Sequence, residues 1–278
     1  MKALFDKISA QCSKDVTKTY STSFSLGIYF LNKKFHKSIY GIYGFVRLAD
    51  EIVDSFHDYN KPQLMERLRN DTVQAIDEKI SLNPILNQFQ EAVHTYSIEW
   101  ELIDTFIKSM EMDLNQKEHN EDSYKTYILG SAEVVGLMCL RVFAEGDHAL
   151  YNKLKPYAMS LGSAFQKVNF LRDLKSDFED LSRTYFPNTD LSRLDESSKD
   201  LIIKEIEADF AAGYQGIVSL PIEAKFGVYT AYIYYKKLLS KLKKTPSLEI
   251  KNTRIRVPDY QKFGLLAKCY VNYRLKLL

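Results

Sequence analysis

A chain of 278 residues with 45% hydrophobic and 13% aromatic content can bury the core of one large domain, and a net charge of +2 excludes nucleic-acid binding driven by bulk charge. The cysteines Cys12, Cys139 and Cys269 are odd in number and far apart, which excludes a disulfide framework and suits a reducing compartment; the histidines show no zinc-ligand spacing. The start MKALFDKISAQCSKD is too polar for a signal peptide and no 18-residue apolar run is visible, so a cytoplasmic chain without a membrane span is expected.

Helical periodicity dominates and no alternating strand pattern occurs, which predicts one all-α domain over residues 1–278. Helices are predicted near 3–19, 34–56, 61–77, 84–95, 99–116, 122–144, 148–180, 198–217, 222–244 and 257–276, with the prolines at segment boundaries rather than inside them. After the first, Tyr20-Ser-Thr-Ser-Phe24 sets clustered hydroxyls before an apolar run. That composition caps a helix, and the same hydroxyls could donate to phosphate oxygens.

Tyr40, Tyr43 and Phe45 come next; aromatics at helical spacing are ordinary core, and their faces also stabilise cations. They lead into Arg47-Leu-Ala-Asp50-Glu-Ile-Val-Asp54. Asp50 and Asp54 stand one turn apart on one face, with Arg47 a turn earlier, while Ile52 and Val53 show that the segment is not simply solvent-facing. Asp113, in Met110-Glu-Met-Asp-Leu, is a candidate additional acid. The stretch Tyr124 to Met138 gathers Gly130, Ser131, Ala132 and Gly136, which admit a neighbouring helix or a long apolar ligand. Close helix packing is the simpler reading, with Glu133 peripheral or held by a partner.

The stretch Gly162 to Asp177, GSAFQKVNFLRDLKSD, says most about chemistry. As a helix it aligns Gln166, Asn169, Asp173 and Asp177 on one face over about three turns. Ala164, Val168, Phe170, Leu171 and Leu174 occupy the other faces. Two acids and two amides on a helix otherwise fit for burial are costly unless satisfied. Two carboxylates four apart repel each other and favour a cation between them. A single such pair is commonly a solvated face. Two pairs, Asp50/Asp54 and Asp173/Asp177, predict a carboxylate-lined cleft for a metal–diphosphate ligand, Mg2+ being a hard cation that bridges carboxylates to phosphate oxygens. Beyond it, Phe186 to Ser198 reads as the longest loop. From Ala231 to Leu278, 12 Lys or Arg stand against Glu249 and Asp259, so that end carries +10 and the remainder −8. It reads as a solvated helix face, or as a contact for an anionic membrane surface or a phosphate-bearing ligand.

In this order the motifs resemble the squalene/phytoene synthase family, the all-α head-to-head prenyl synthases, over nearly the whole chain. The resemblance rests on Tyr20-Ser-Thr-Ser-Phe24, Arg47-Leu-Ala-Asp50-Glu-Ile-Val-Asp54, Val135-Gly136-Leu-Met, Gln166-x-x-Asn169-x-x-Arg172-Asp173-x-x-x-Asp177 and Arg183-Thr-Tyr185-Phe-Pro187. It implies an isoprenoid-synthase-type bundle around a central cavity. It implies that Asp50, Asp54, Asp173 and Asp177 hold Mg2+, for which Mn2+ can substitute, bridging substrate diphosphates, with Asn169 completing the coordination. By the same resemblance Ser21, Arg47 and Arg172 contact the diphosphates, Gln166, Tyr43 and Phe24 line the reaction cavity, and Tyr127 lies near the carbocation.

The reaction so implied joins two prenyl diphosphates, foremost two geranylgeranyl diphosphates giving phytoene through a cyclopropylcarbinyl diphosphate. The alternative is a farnesyl-diphosphate-using dehydrosqualene, squalene or presqualene diphosphate synthase, with NADPH entering only on the squalene branch. A non-catalytic helical assembly or binding protein of the same fold is the alternative of another class; such relatives lose the metal-binding acids that this chain retains. The chain departs from the family pattern twice: Ser131-Ala132-Glu133 stands for Val-Ala-Gly, and no glycine precedes Arg183. No nucleic-acid partner is expected, the basic end suits peripheral contact with the inner membrane face, and no motif specifies an oligomeric state.

Overall fold

The computed structural model of the chain describes residues 1–115, 118–187, 189, 192–258 and 264, and among them every regular element is helical, with one isolated bridge between Glu118 and Thr184. Helix α1 (Lys2–Tyr20) breaks at Ser21, whose extended backbone ends it and whose side chain accepts from the Phe24 N–H at 3.2 Å, starting α2 (Thr22–Tyr29). The cap is therefore real. The periodicity does not predict α2, because eight residues with apolar side chains on several sides show no amphipathic stripe.

Helix α3 (Lys33–Asp54) starts behind Asn32 and buries Phe35, Ile39, Ile42, Phe45, Ala49, Ile52 and Val53. Helices α4 (Lys61–Glu78) and α5 (Pro84–Tyr96) each start with an asparagine cap and a first-turn proline, and each stops at a left-handed residue, Lys79 and Ser97. Helix α6 (Trp100–Asn115) follows. Then α7 (Glu121–Ile128), a π-helical segment (Leu129–Glu133) and α8 (Val134–Ala144) run on as one rod. Helix α9 (His148–Glu179) is followed by α10 (Glu196–Ser219), α11 (Ile222–Lys244) and the short α12 (Ser247–Ile250). Helix α10 starts at Glu196 because Asp195 and Ser198 form a reciprocal capping box.

Helix α9 is the central post, packed on α8, α10, α11 and the π-helical segment, while α1, α3 and α5 form a neighbouring layer. Phe45 and Phe89 stack at 4.0 Å in that layer, both buried.

Three expectations need correction, and a fourth falls outside the described residues. Pro156 lies inside α9, where the missing N–H costs one helical hydrogen bond. The rod Glu121–Ala144 is long and apolar enough to cross a membrane, yet more than half of its apolar stretch is buried against the other helices, so its apolarity serves the core. Helix α12 is a further short element without a sequence signal. The helix expected near 257–276 lies outside the described residues except for Val257, Pro258 and Gly264, of which the first two are not helical.

The small residues of the rod serve close packing. A Cβ on Gly162 of α9 would stand 2.7 Å from the Ala132 carbonyl oxygen, and one on Gly130 would stand 2.5 Å from the Ser109 Cβ. Backbone cannot yield as a flexible side-chain tip can, so Gly162→Ala is expected to destabilise the fold by about 1–3 kcal/mol. Chemical denaturation measures this, and an unchanged midpoint would contradict the close crossing.

Candidate active site

A cavity of about 1050 Å³ opens between α3 and α9, closed at the sides by α2, α8, α10 and α11. Its depth is apolar, with Gly27, Ile28, Leu31, Ile42, Leu140, Phe143 and Ile217 among the lining side chains. Its mouth is ionic. All twelve site residues named from the sequence line it: Ser21, Phe24, Tyr43, Arg47, Asp50, Asp54, Tyr127, Gln166, Asn169, Arg172, Asp173 and Asp177.

The stripe spacing explains this. On α3, Tyr43, Arg47, Asp50 and Asp54 recur at helical intervals opposite the buried Phe45–Ala49–Ile52 side; on α9, Gln166, Asn169, Asp173 and Asp177 do the same. The two acid pairs are close enough to feel each other. Burial pushes the Asp177 carboxyl up to about 8, helped by Asp173 and Asp54. Burial and Asp54 push Asp50 up to about 7, although a third of its side chain stays accessible from the cavity. Burial and then Asp50 raise the Tyr43 phenol to about 12.

Cations stand around the rim. Arg47 pairs with Glu51, lies 3.8 Å from Asp50 and covers the Tyr20 ring at 4.2 Å. Arg172 holds Asp173 through Nε at 2.9 Å, and Arg254 reaches the same carboxylate oxygen at 2.6 Å. Asn169 accepts from the Tyr235 hydroxyl at 3.3 Å. Phe24 and Tyr43 face each other at 5.4 Å.

Tyr127 lines the cavity with its ring, while its hydroxyl donates to Asp113 at 2.6 Å. Asp113 also accepts from Tyr185 at 3.3 Å, and Arg183 lies 3.6 Å away. Burial still raises Asp113 to about 6 against the pull of Arg183. Arg183 donates to Asp54 at 2.7 Å and to the Val53 carbonyl at 3.1 Å. It gets there because Ser182 takes a left-handed conformation (φ 54°) and the Arg183 N–H turns back onto the Asp177 carbonyl at 2.8 Å. A serine thus occupies a backbone position that glycine fits without strain, and the arginine is not displaced.

Arg183, Tyr185 and Arg254 lie outside the site as read from spacing. The sequence signal for the first two is the Arg183-Thr-Tyr185-Phe-Pro187 segment; Arg254 is one of many charges in a basic end and has none of its own. Glu133, expected at the periphery, is half-buried instead, with its carboxyl raised by burial.

The raised acids have a measurable sign. Asp113, Asp50 and Asp177 titrate near 4 when unfolded but at about 6, 7 and 8 in the fold, so the folded chain binds more protons in between. Stability of the ligand-free protein is therefore highest below about pH 4 as far as these groups contribute, and falls as pH rises from about 4 to about 8. Thermal unfolding across that window should show the decline, and a midpoint that climbs over it would contradict the site's unbalanced charge.

The family model described as squalene/phytoene synthase matches residues 17–261. A phytoene synthase of Arthrospira platensis is 23% identical, covering 96% of this chain and 94% of that protein. The chloroplastic phytoene synthase 1 of Solanum lycopersicum is 24% identical over 82% of this chain, which spans 60% of that protein's length. A 4,4'-diapophytoene synthase of Staphylococcus haemolyticus is 25% identical over 72% of this chain and 68% of its own length. Among solved structures, a dehydrosqualene synthase in complex with ligand superposes with a TM-score of 0.82 at 19% identity, covering 97% of this chain and 98% of that one.

Proposed function

The chain belongs to the squalene/phytoene synthase family, and on that premise we propose that it condenses two prenyl diphosphates head to head, taking two geranylgeranyl diphosphates to phytoene. The observation that carries this reading is the pairing of two facing acid motifs at the mouth with a deep apolar cavity behind them. The mouth suits diphosphates and the depth suits polyprenyl chains.

Mg2+ fits the donor set. The mouth offers the carboxylates of Asp50, Asp54, Asp173 and Asp177 and the Asn169 amide, all hard oxygen donors. Burial first, and then the neighbouring carboxylates, raise Asp50 and Asp177, a cost that a divalent cation would relieve. Bound there, Mg2+ would neutralise the charge that a departing diphosphate accumulates.

The residues of the chain then divide the work. Arg47 and Arg172, with Ser21 nearby, hold the diphosphates. The carbon–oxygen bond of one prenyl diphosphate breaks with its electron pair going to oxygen, and the double bond of the second attacks the allylic cation. Loss of a proton closes the cyclopropylcarbinyl diphosphate, a second ionisation and rearrangement give the 1-1′ linked skeleton, and a final proton loss gives the triene. Phe24, Tyr43, Phe165 and Tyr127 exclude water and turn aromatic faces to the cations.

A second reading, with farnesyl diphosphate as substrate and a C30 product, is favoured by the similarity to the 4,4'-diapophytoene synthase. Incubation of the purified protein with Mg2+ and either farnesyl or geranylgeranyl diphosphate, with and without NADPH, followed by mass analysis of extracted products, decides. A C40 hydrocarbon indifferent to NADPH is expected. A C30 product moves the protein to the dehydrosqualene or squalene branch, and no product from folded protein rejects the enzyme reading.

A further inference from the structure

A second cavity, of about 700 Å³, lies between α7, the π-helical segment, α9 and the first half of α10. It takes Met159, Ser163 and Lys167 from α9, a different face from the Gln166–Asn169–Asp173 stripe of the first cavity. Lys167 is buried there, its Nζ 2.5 Å from Glu205 and 2.7 Å from Asp209, and the Ser163 hydroxyl donates to the same Asp209 oxygen at 2.8 Å. One ammonium between two carboxylates leaves a net negative charge.

Glu133 enlarges that charge, and Tyr124 adds a polar atom without a partner. Glu133, the last residue of the π-helical segment, lines this cavity and has no hydrogen-bond or ion-pair partner among the described residues. Tyr124, 5% exposed, brings a buried hydroxyl that also has none. Buried polar groups left without partners are rare in folded proteins and are usually completed by water or a ligand. Single-turn π-helical segments also concentrate at functional sites. Around these groups Ile128, Leu129 and Ile202 give an apolar wall with the exposed Leu201 at the rim, while Glu121 and Lys125 add one charge of each sign and leave the balance negative.

We propose that this cavity binds a protonated amine carried on a short apolar body. The ammonium donates to Glu133 and Glu205, the Tyr124 oxygen accepts a further N–H, and the hydrocarbon rests on Ile128, Leu129 and Ile202. An alcohol of the same length would leave the negative charge uncompensated, and a carboxylate would be repelled by it. The site is separate from the one assigned to prenyl condensation and does not depend on that reading.

Calorimetric titration of the full chain at neutral pH with n-octylamine, n-octanol and octanoate tests the proposal. Octylamine is expected to bind saturably, about tenfold or more tighter than octanol, with octanoate not binding. Glu133→Gln is expected to weaken the amine about tenfold. Equal affinity for octanol and octylamine would overturn the proposal. So would loss of amine binding in Asp177→Asn with retention in Glu133→Gln, which would place the amine in the first cavity. Tyr124→Phe, which keeps the ring and removes only the hydroxyl, serves where Glu133→Gln does not fold: it should weaken the amine several-fold, and unchanged affinity would overturn the site.

Discussion

Asp177→Asn is expected to lower turnover about 10³-fold while raising the thermal midpoint of the ligand-free protein by a few degrees. The two effects share one cause. Burial, Asp173 and Asp54 push the Asp177 carboxyl up to about 8, so near neutral pH the fold works against its ionisation. An amide of the same shape removes that repulsion and so stabilises the empty site. It also removes an anionic oxygen that Mg2+ would need, and with it the charge neutralisation that lets a diphosphate leave. Arg172 and Arg254 remain on Asp173, so the rim keeps its geometry. Single-turnover kinetics and a melting curve on one preparation check both halves. Retained turnover would remove Asp177 from the proposed metal site, and a lowered midpoint would show that its charge is already compensated.

How legible such a site is depends on whether its residues repeat. Asp50/Asp54 and Asp173/Asp177 sit at i, i+4 on long helices, so periodicity alone puts each pair on one face and two copies suggest a cleft. Their shared cavity follows from α3 and α9 facing each other. Asp113 and Arg254 are single charges whose roles come from tertiary placement, on α6 against Tyr127 for one and after α12 against Asp173 for the other. No local period marks them. Helix α2 is hidden for a related reason, since it is short and apolar on several sides. Glu133 is the opposite case, since its place follows ordinary spacing: Lys125, Leu129 and Glu133 at i, i+4 intervals line the second cavity, while Tyr127, Ser131 and Val135 line the first.

Arg183→Leu is expected to cost about 3–5 kcal/mol of stability, the largest loss of any single change at this site. The guanidinium is nearly inaccessible, with 7% of its side chain exposed, and Asp113 opposite has 3%. One planar group serves Asp54, Asp113, the Tyr185 hydroxyl and the Val53 carbonyl together. Removing it leaves Asp113 buried with two phenol donors and no counter-charge, so that carboxyl must take up a proton or bring in water. Asp54 also loses the contact that fixes it on the α3 wall, so activity should fall with stability. Arg183→Lys separates charge from shape. A single ammonium can meet one or two of the four acceptors but lacks the fork, so it should recover part of the stability and less of the turnover. Urea unfolding of the two variants beside the parent chain gives the answer. A wild-type midpoint in Arg183→Leu would mean that the two phenols suffice to hold Asp113, and that Arg183 is not what anchors the floor of the acidic mouth.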